Sequence, residues 1–219
     1  MQKQFFLNLR DEAARVGYVQ ALWRTVYYLL NKRICYRRLN VIRLGRENLV
    51  PLNPAKYALL SSRLATEQEL LKMQAEGIWD LSDELLANFR AGDACLLSYV
   101  GDKLAGYTWV HLAGRPRWLE GLTVRIPEGY GYNYAGFTLP AFRGYGLQPY
   151  RHHEVMNRPE WRDRIQGMIG YVECTNWSSQ KGQAKSGYQK IGVLTLVGTK
   201  RRFFSLFSRE LRKLGMGRI

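Results

Sequence analysis

A chain of 219 residues that is 46 % hydrophobic and 23 % charged is long enough to bury one sizeable core, and its make-up excludes a disordered chain. The formal net charge is +15, with the excess in the flanks: residues 1–46 carry ten Lys/Arg against two Asp/Glu, residues 200–219 seven against one, and the middle sixteen against fifteen. Three cysteines, Cys35, Cys95 and Cys174, odd in number, far apart and without a C-x-x-C pair, predict neither a disulfide framework nor a metal site and fit a reducing, cytoplasmic compartment.

In chain order, Phe5, Phe6 and Leu7 are too short a run for a secretory signal, and Gln20 and Arg24 interrupt the apolar stretch from Val16 to Leu30, so no spanning helix is expected. From Glu12 to Glu47 no acid interrupts Arg15, Arg24, Lys32, Arg33, Arg37, Arg38, Arg43 and Arg46, while Val16, Val19, Trp23, Val26, Tyr27 and Leu30 recur at helical spacing. Residues 1–50 are thus predicted to form a basic amphipathic helical extension. Its apolar stripe is expected to pack on the domain with the charges solvated; contact with an anionic membrane surface or another acidic partner is the alternative. Without a reading motif the basic residues give nucleic acid only sequence-independent attraction, so no specific nucleic acid is expected.

Residues 51–199 read as one mixed α/β domain. A strand is predicted over Lys56–Ser62, then a helix opened by the capping box of Thr66 and Glu69, and a second helix capped by Asp80 or Ser82. ACLLSYV and KLAGYTWVHL, separated by Gly101-Asp102, form a hairpin. A connection from Arg115 to Gly129 holds one short strand at LTVRI, and YNYAGFTL is a further strand. Helix over Tyr150–Met156, strand over GMIGYVECT, short helix over SSQKGQAKS and strand over YQKIGVLTLV complete the order. Residues 200–219 read as a basic C-terminal tail. The chain has no internal repeat.

Residues 137–153, FTLPAFRGYGLQPYRHH, run from a strand through Pro140 into Arg143-Gly144-Tyr145-Gly146 at the start of a helix. The first N–H groups of a helix have no intrahelical partner, its dipole end is positive, and glycines let a ligand approach the backbone, so the turn is read as a site for an anion such as phosphate. A merely structural turn is the other reading. Neither the P-loop nor the dinucleotide fingerprint fits.

Here the chain resembles the GNAT superfamily of N-acyltransferases. Arg143, Gly144, Tyr145, Gly146, Leu147 and Gln148 fill that family's acyl-coenzyme A signature, Arg/Gln-x-x-Gly-x-Gly/Ala, except at the last position. GDKLAGYTWV looks like its second and third strands, TLPAF like the end of its fourth, and VECTNWSSQKGQAKSGY like its fifth strand, an asparagine, a short helix and a Gly-aromatic pair. The resemblance covers roughly residues 57–197 and implies a mixed, largely antiparallel sheet with helices on both faces and splayed fourth and fifth strands.

It further implies an N-acetyltransferase that moves an acyl group from acetyl-CoA, or another acyl-CoA, to a primary amine of a small molecule. Main-chain groups of Phe137, Thr138 and Leu139 would pair with the pantetheine arm, one of their N–H groups facing the developing oxyanion. The amides from Gly144 to Gln148, with Arg143, would hold the pyrophosphate, and Asn176 would orient the pantetheine; capping the following helix is its other reading. Gln148 is expected to crowd or cap the pyrophosphate. Glu173, beside the cleft, is the first candidate for the base that frees the amine. The tyrosine with which many relatives protonate the leaving thiolate is replaced by Gln183, and Tyr134, Tyr132 and Ser179 are stand-ins. His152 and His153 are expected to be one packed and one solvated, Cys174 a small buried hydrophobe, and Tyr130, Tyr132 and Tyr134 to share one strand face, as core or pocket. A longer-chain acyltransferase fed by acyl-CoA or acyl carrier protein near the membrane, and a binding module without chemistry, are the alternatives. The acceptor amine and the oligomeric state, monomer or dimer, are left open.

Overall fold

The computed structural model describes residues 17–112, 116, 122–199 and 202–218, residues 32 and 33 by their main chain alone. Helix α1 (Tyr18–Arg33) leads into strand β1 (Cys35–Gly45); helix α2 (Pro54–Tyr57), strand β2 (Leu60–Leu64), helices α3 (Glu67–Glu76) and α4 (Asp83–Arg90), and strands β3 (Ala94–Val100) and β4 (Lys103–His111) follow. Then come β5 (Val124–Arg125), β6 (Tyr130–Thr138), α5 (Leu147–Asn157), α6 (Pro159–Arg162) and β7 (Gly167–Glu173). The chain ends with α7 (Trp177–Lys185), β8 (Gln189–Gly198), β9 (Phe203–Phe207), α8 (Arg209–Lys213) and β10 (Gly217–Arg218).

Short-range chemistry sets several of these boundaries. At the head of α3 the Glu69 N–H donates to the Thr66 side chain while the Glu69 carboxylate accepts from the Thr66 N–H at 2.9 Å, satisfying two helix-end donors at once. Ser82, not Asp80, caps α4. Asn53 and Pro54 open the short α2, so the strand expected from Lys56 starts only at Leu60. Gly101 turns β3 into β4 with φ 56°.

Eight strands form one sheet in the order β2-β3-β4-β6-β7-β1-β8-β9. Neighbours are antiparallel throughout except β6 and β7, which run parallel. Alternation sends Leu96 and Val110 to one face and Leu97 and Trp109 to the other, so both faces need cover. Val155 and Met156 of α5 and Trp161 of α6 cover the first; Leu70, Met73 and Leu86 of α3 and α4 cover the second. Further along that second face Leu39, Tyr132, Ile169 and Leu194 pack under Leu211 of α8. The architecture is the mixed, largely antiparallel α/β arrangement expected, with helices on both faces.

The flanks differ from expectation. Phe5, Phe6, Leu7 and the start of the basic stretch lie outside the described residues. Within residues 1–50 the described helix ends at Arg33, and Cys35–Gly45 is a strand between β7 and β8, Leu39 opposing Glu173 on one side and Leu194 on the other. The alternation of Cys35, Leu39 and Val41, buried every second or fourth residue, drives this, although Arg37, Arg38 and Arg43 disguise it as a polar stretch. The tail 200–219 supplies β9, paired along β8, and buries Leu211 and Met216. Strands therefore enter the sheet from all three stretches, 1–50, 51–199 and 200–219.

Candidate active site

Parallel β6 and β7 pair only from Tyr130–Tyr132 to Gly167–Ile169. At the next step they still touch, since a side chain on Gly170 would meet the Asn133 carbonyl at 3.0 Å. Beyond it they part. A bulge contributes: between Tyr107↔Phe137 and Trp109↔Tyr134, two steps along β4 match three along β6, and Ala135 takes φ 43° to absorb the extra residue. The strand bends away from β7 and a wedge opens between them.

The Gly turn stands at that wedge. Gly144 (φ 93°) and Gly146 (φ 79°) occupy backbone conformations that other residues reach only with strain, and Gly146 is the residue on which α5 begins. Among the described residues no protein acceptor takes a hydrogen bond from the main-chain N–H of Gly144, Tyr145, Gly146, Leu147 or Gln148. The first turn of α5 holds no acid, and Arg143 is exposed beside it. Gly146 lies on Tyr57, where a side chain would meet the ring at 2.9 Å; Tyr57 in turn stacks on Tyr150 with ring centres 6.1 Å apart. The result is a row of donors and positive potential at the mouth of a cleft, fit for a diphosphate. The side chain of Gln148, expected to crowd that anion, instead lies against the bare Cα of Gly182 in α7. It fills the space between α5 and α7 and leaves the donors uncovered.

Along the end of β6, the Leu139 N–H donates to Ala105 O at 2.9 Å and is committed to β4. Since successive residues of a strand point their polar groups to opposite sides, the main chain of Thr138 is the one turned toward the wedge. Arg151 of α5 supports it from below, donating to Phe137 O and to Thr138 Oγ1, each at 3.0 Å. That guanidinium is buried, and burial lowers its pKa to about 10. Asn176 caps α7, its Oδ1 accepting from the Ser179 N–H at 3.1 Å.

The expected catalytic residues are not joined: among the described residues no hydrogen bond or ion pair links Glu173, Tyr134 and Ser179 to one another. Glu173 forms an ion pair with Arg37 of β1, which engages its Oε1. Ser179 is half-buried in the first turn of α7. Tyr134 donates to Asp93 Oδ2 and accepts from Asn88 Nδ2 at 3.3 Å; burial, then the neighbouring carboxylate, push its hydroxyl pKa far up, so it stays protonated. The other Asp93 oxygen lies 2.5 Å from His111 Nδ1. This Asp93–His111–Tyr134 cluster occupies the face opposite α5, level with Tyr132, where the wedge begins. Tyr132 and Tyr134 stack at 5.0 Å and are core residues as much as lining. Of the two adjacent histidines His152 is buried and His153 half-exposed near Asn157. All three cysteines are free, Cys174 being only partly buried.

Asp93, His111 and Arg151 escaped the sequence reading. Asp93 follows the end of α4 and His111 closes β4; what joins them is the hairpin register with its one-residue shift, which sets Ala94 against Val110 and so brings the next pair together.

No protein-family model matches the sequence, and neither does any curated protein. Solved structures do resemble the fold. The glucosamine N-acetyltransferase region of a fungal multi-domain β-N-acetylglucosaminidase matches 81 % of this chain and 23 % of its own at TM-score 0.55 and 9 % identity. An acetyltransferase assigned to the GNAT family from Novosphingobium aromaticivorans matches 75 % of this chain and 65 % of its own at TM-score 0.51 and 13 % identity. A Drosophila protein matches 84 % and 58 % at TM-score 0.50 and 16 % identity. The chain thus spans less than two thirds of the length of each. At such identities the likeness is one of fold, and the fold of this chain is that of the GNAT N-acyltransferases.

Proposed function

We propose that the chain transfers an acyl group from acyl-CoA to the primary amine of a small molecule. The observation that carries this reading is the run of unengaged N–H donors from Gly144 to Gln148 at the head of α5, set where β6 and β7 separate. Those donors and Arg143 hold the diphosphate, and the outward main chain of Thr138 holds the arm that leads to the thioester. Acyl-CoA supplies an activated carbonyl. Arg151, fixed beneath Thr138, keeps the strand end in place and lends positive potential as charge builds on the carbonyl oxygen.

The amine must lose a proton before its nitrogen can attack. The Asp93–His111 pair takes that role here in preference to Glu173, because Arg37 already holds the Glu173 carboxylate. Asp93 orients the imidazole through Nδ1 and Tyr134 steadies Asp93 from its other oxygen. As the C–N bond forms the C–S bond breaks; a thiol of pKa about 8.5 leaves as thiolate without a dedicated acid and takes up the second proton that the nitrogen sheds on becoming an amide, so Gln183 is no obstacle.

The fungal neighbour makes glucosamine the first amine to try. Acetyl-CoA is expected to raise the melting temperature of the wild-type chain and to release free thiol with one member of an amine panel that includes amino sugars and amino acids. Arg143→Glu is expected to abolish the thermal shift. Absence of any shift with acetyl-CoA and with longer acyl-CoA would end this proposal.

A further inference from the structure

Helix α1 is mounted inside out. At about 100° per residue, Tyr18, Val19, Leu22, Trp23, Val26 and Leu29 fall within an arc of about 140°. That arc faces solvent: Val19 is 79 %, Leu22 61 % and Trp23 51 % exposed. The opposite side holds the helix to the domain, with Ala21 and Tyr27 buried. Tyr27 accepts from the Arg38 N–H at 2.7 Å and meets Tyr36 edge-on, while Asn31 Oδ1 accepts from the Tyr36 N–H at 2.9 Å. A surface helix ordinarily turns its apolar side inward; here polar and small groups do the anchoring.

The bare surface continues onto the sheet. Tyr36 pairs with Val197, and Val197 with Phe204 of β9, so all three share the face on which α1 lies. Phe204 is 77 % exposed and Leu206, two residues on, is exposed as well. Isolated exposed apolar residues need no explanation, but a patch that joins a helix to an open sheet face marks an interaction surface.

Charge identifies the occupant. On this face Arg38, between Tyr36 and Asn40 in β1, is exposed, and so are Lys181 and Lys185 of α7, the helix that Asn40 bonds through Gln180. No acid lies between Glu12 and Glu47, a stretch that contains all of α1. A second copy of the chain would bring the same cations to the contact and be repelled. We propose that this surface docks the protein on an anionic lipid bilayer, α1 lying flat in the interface with Trp23, Leu22 and Val26 among the headgroups and Arg38, Lys181 and Lys185 toward the lipid phosphates. No helix among the described residues is long and apolar enough to cross a membrane, so the attachment is peripheral. The docking face is the one on which Asn40 bonds Gln180 of α7, and the Asp93–His111 pair lies on the opposite face of the sheet.

Flotation of the full chain with phosphatidylcholine vesicles, with and without phosphatidylglycerol, tests the proposal. Expected are binding at least about tenfold stronger to the anionic vesicles, weakening as salt is raised, and its loss in Leu22→Asp/Val26→Asp. Both side chains point to water, so the variant is expected to keep the wild-type melting temperature, which is measured alongside. Binding unaffected by the substitutions, equal binding to neutral vesicles, or no vesicle binding overturns it. So does a wild-type dimer in solution that the double substitution dissociates, or saturable binding of an acidic protein such as acyl carrier protein where vesicles do not bind.

Discussion

His152 and His111 show how position alone gives one residue type opposite uses. His152 is buried on α5, its ring edge against Tyr188 with centres 4.9 Å apart, and burial, aided by the adjacent Arg151 charge, lowers its pKa to about 3. It stays neutral in the folded chain while the unfolded chain protonates it below 6.5, so between these values the unfolded state holds the extra proton. Stability is therefore expected to fall as pH drops from 6.5 towards 3, by up to about 1.4 kcal/mol per pH unit from this residue, and to flatten below. Urea titrations across that range should show the slope in the wild type and lose most of it in His152→Leu. His111, partly exposed, has Asp93 at Nδ1. Under the proposed mechanism His111→Ala lowers kcat by about 10²–10⁴-fold while the thermal shift with acetyl-CoA persists, and Asp93→Asn moves the acid limb of the pH–rate profile. Unchanged kcat in His111→Ala would remove the pair from the mechanism.

The bulge in β6 is the element on which the cleft depends. Ala135 sits at φ 43° with its side exposed, a conformation that costs an alanine but not a glycine. Ala135→Gly is expected to leave stability unchanged or raise it by up to about 1 kcal/mol, and Ala135→Val to lower it by about 1–3 kcal/mol, as read by chemical denaturation. A valine tolerated without loss would mean that the extra residue is accommodated elsewhere. Turns of this sort divide into those the sequence announces and those it hides. Gly101 and the Gly144–Gly146 turn are legible because glycine is the residue that takes positive φ, and the Thr66–Glu69 box because its two partners lie three residues apart. The bulge holds Gly136, but the positive φ falls on Ala135 before it, so the glycine marks the wrong residue. The second irregularity, between Ser98 and Tyr99, matters more: a strict two-residue hairpin on Gly101-Asp102 would oppose Asp93 to Val110, and the one-residue shift brings His111 there instead. The Asp93–His111–Tyr134 cluster was thus invisible to a strict count along the hairpin.

At the scale of the molecule, the signature strand, turn and helix were legible because they are contiguous, whereas the sheet order was not, because pairing between distant segments leaves no local pattern. Arg37 and Arg38 made β1 look like more of the helix before it, yet β1 holds the sheet together between β7 and β8 and supplies Arg37 to Glu173. The same distinction separates the two flanks energetically. From α1 the core receives Ala21 and Tyr27, burial on the order of a few kcal/mol, within the range of a domain's total stability. From the tail it receives Leu211 and Met216, and β9 covers β8 from Leu194 to Gly198. Removal of residues 1–33 is accordingly expected to leave a chain that melts cooperatively at a lower temperature and still responds to acetyl-CoA. Removal of residues 203–218 strips cover from Leu194 and Leu196, exposes the edge of β8 and is expected to abolish the cooperative transition. Thermal melts followed by circular dichroism, with and without acetyl-CoA, distinguish the two; a tail-deleted chain that still melts cooperatively would show that β1 and β8 close the sheet without β9.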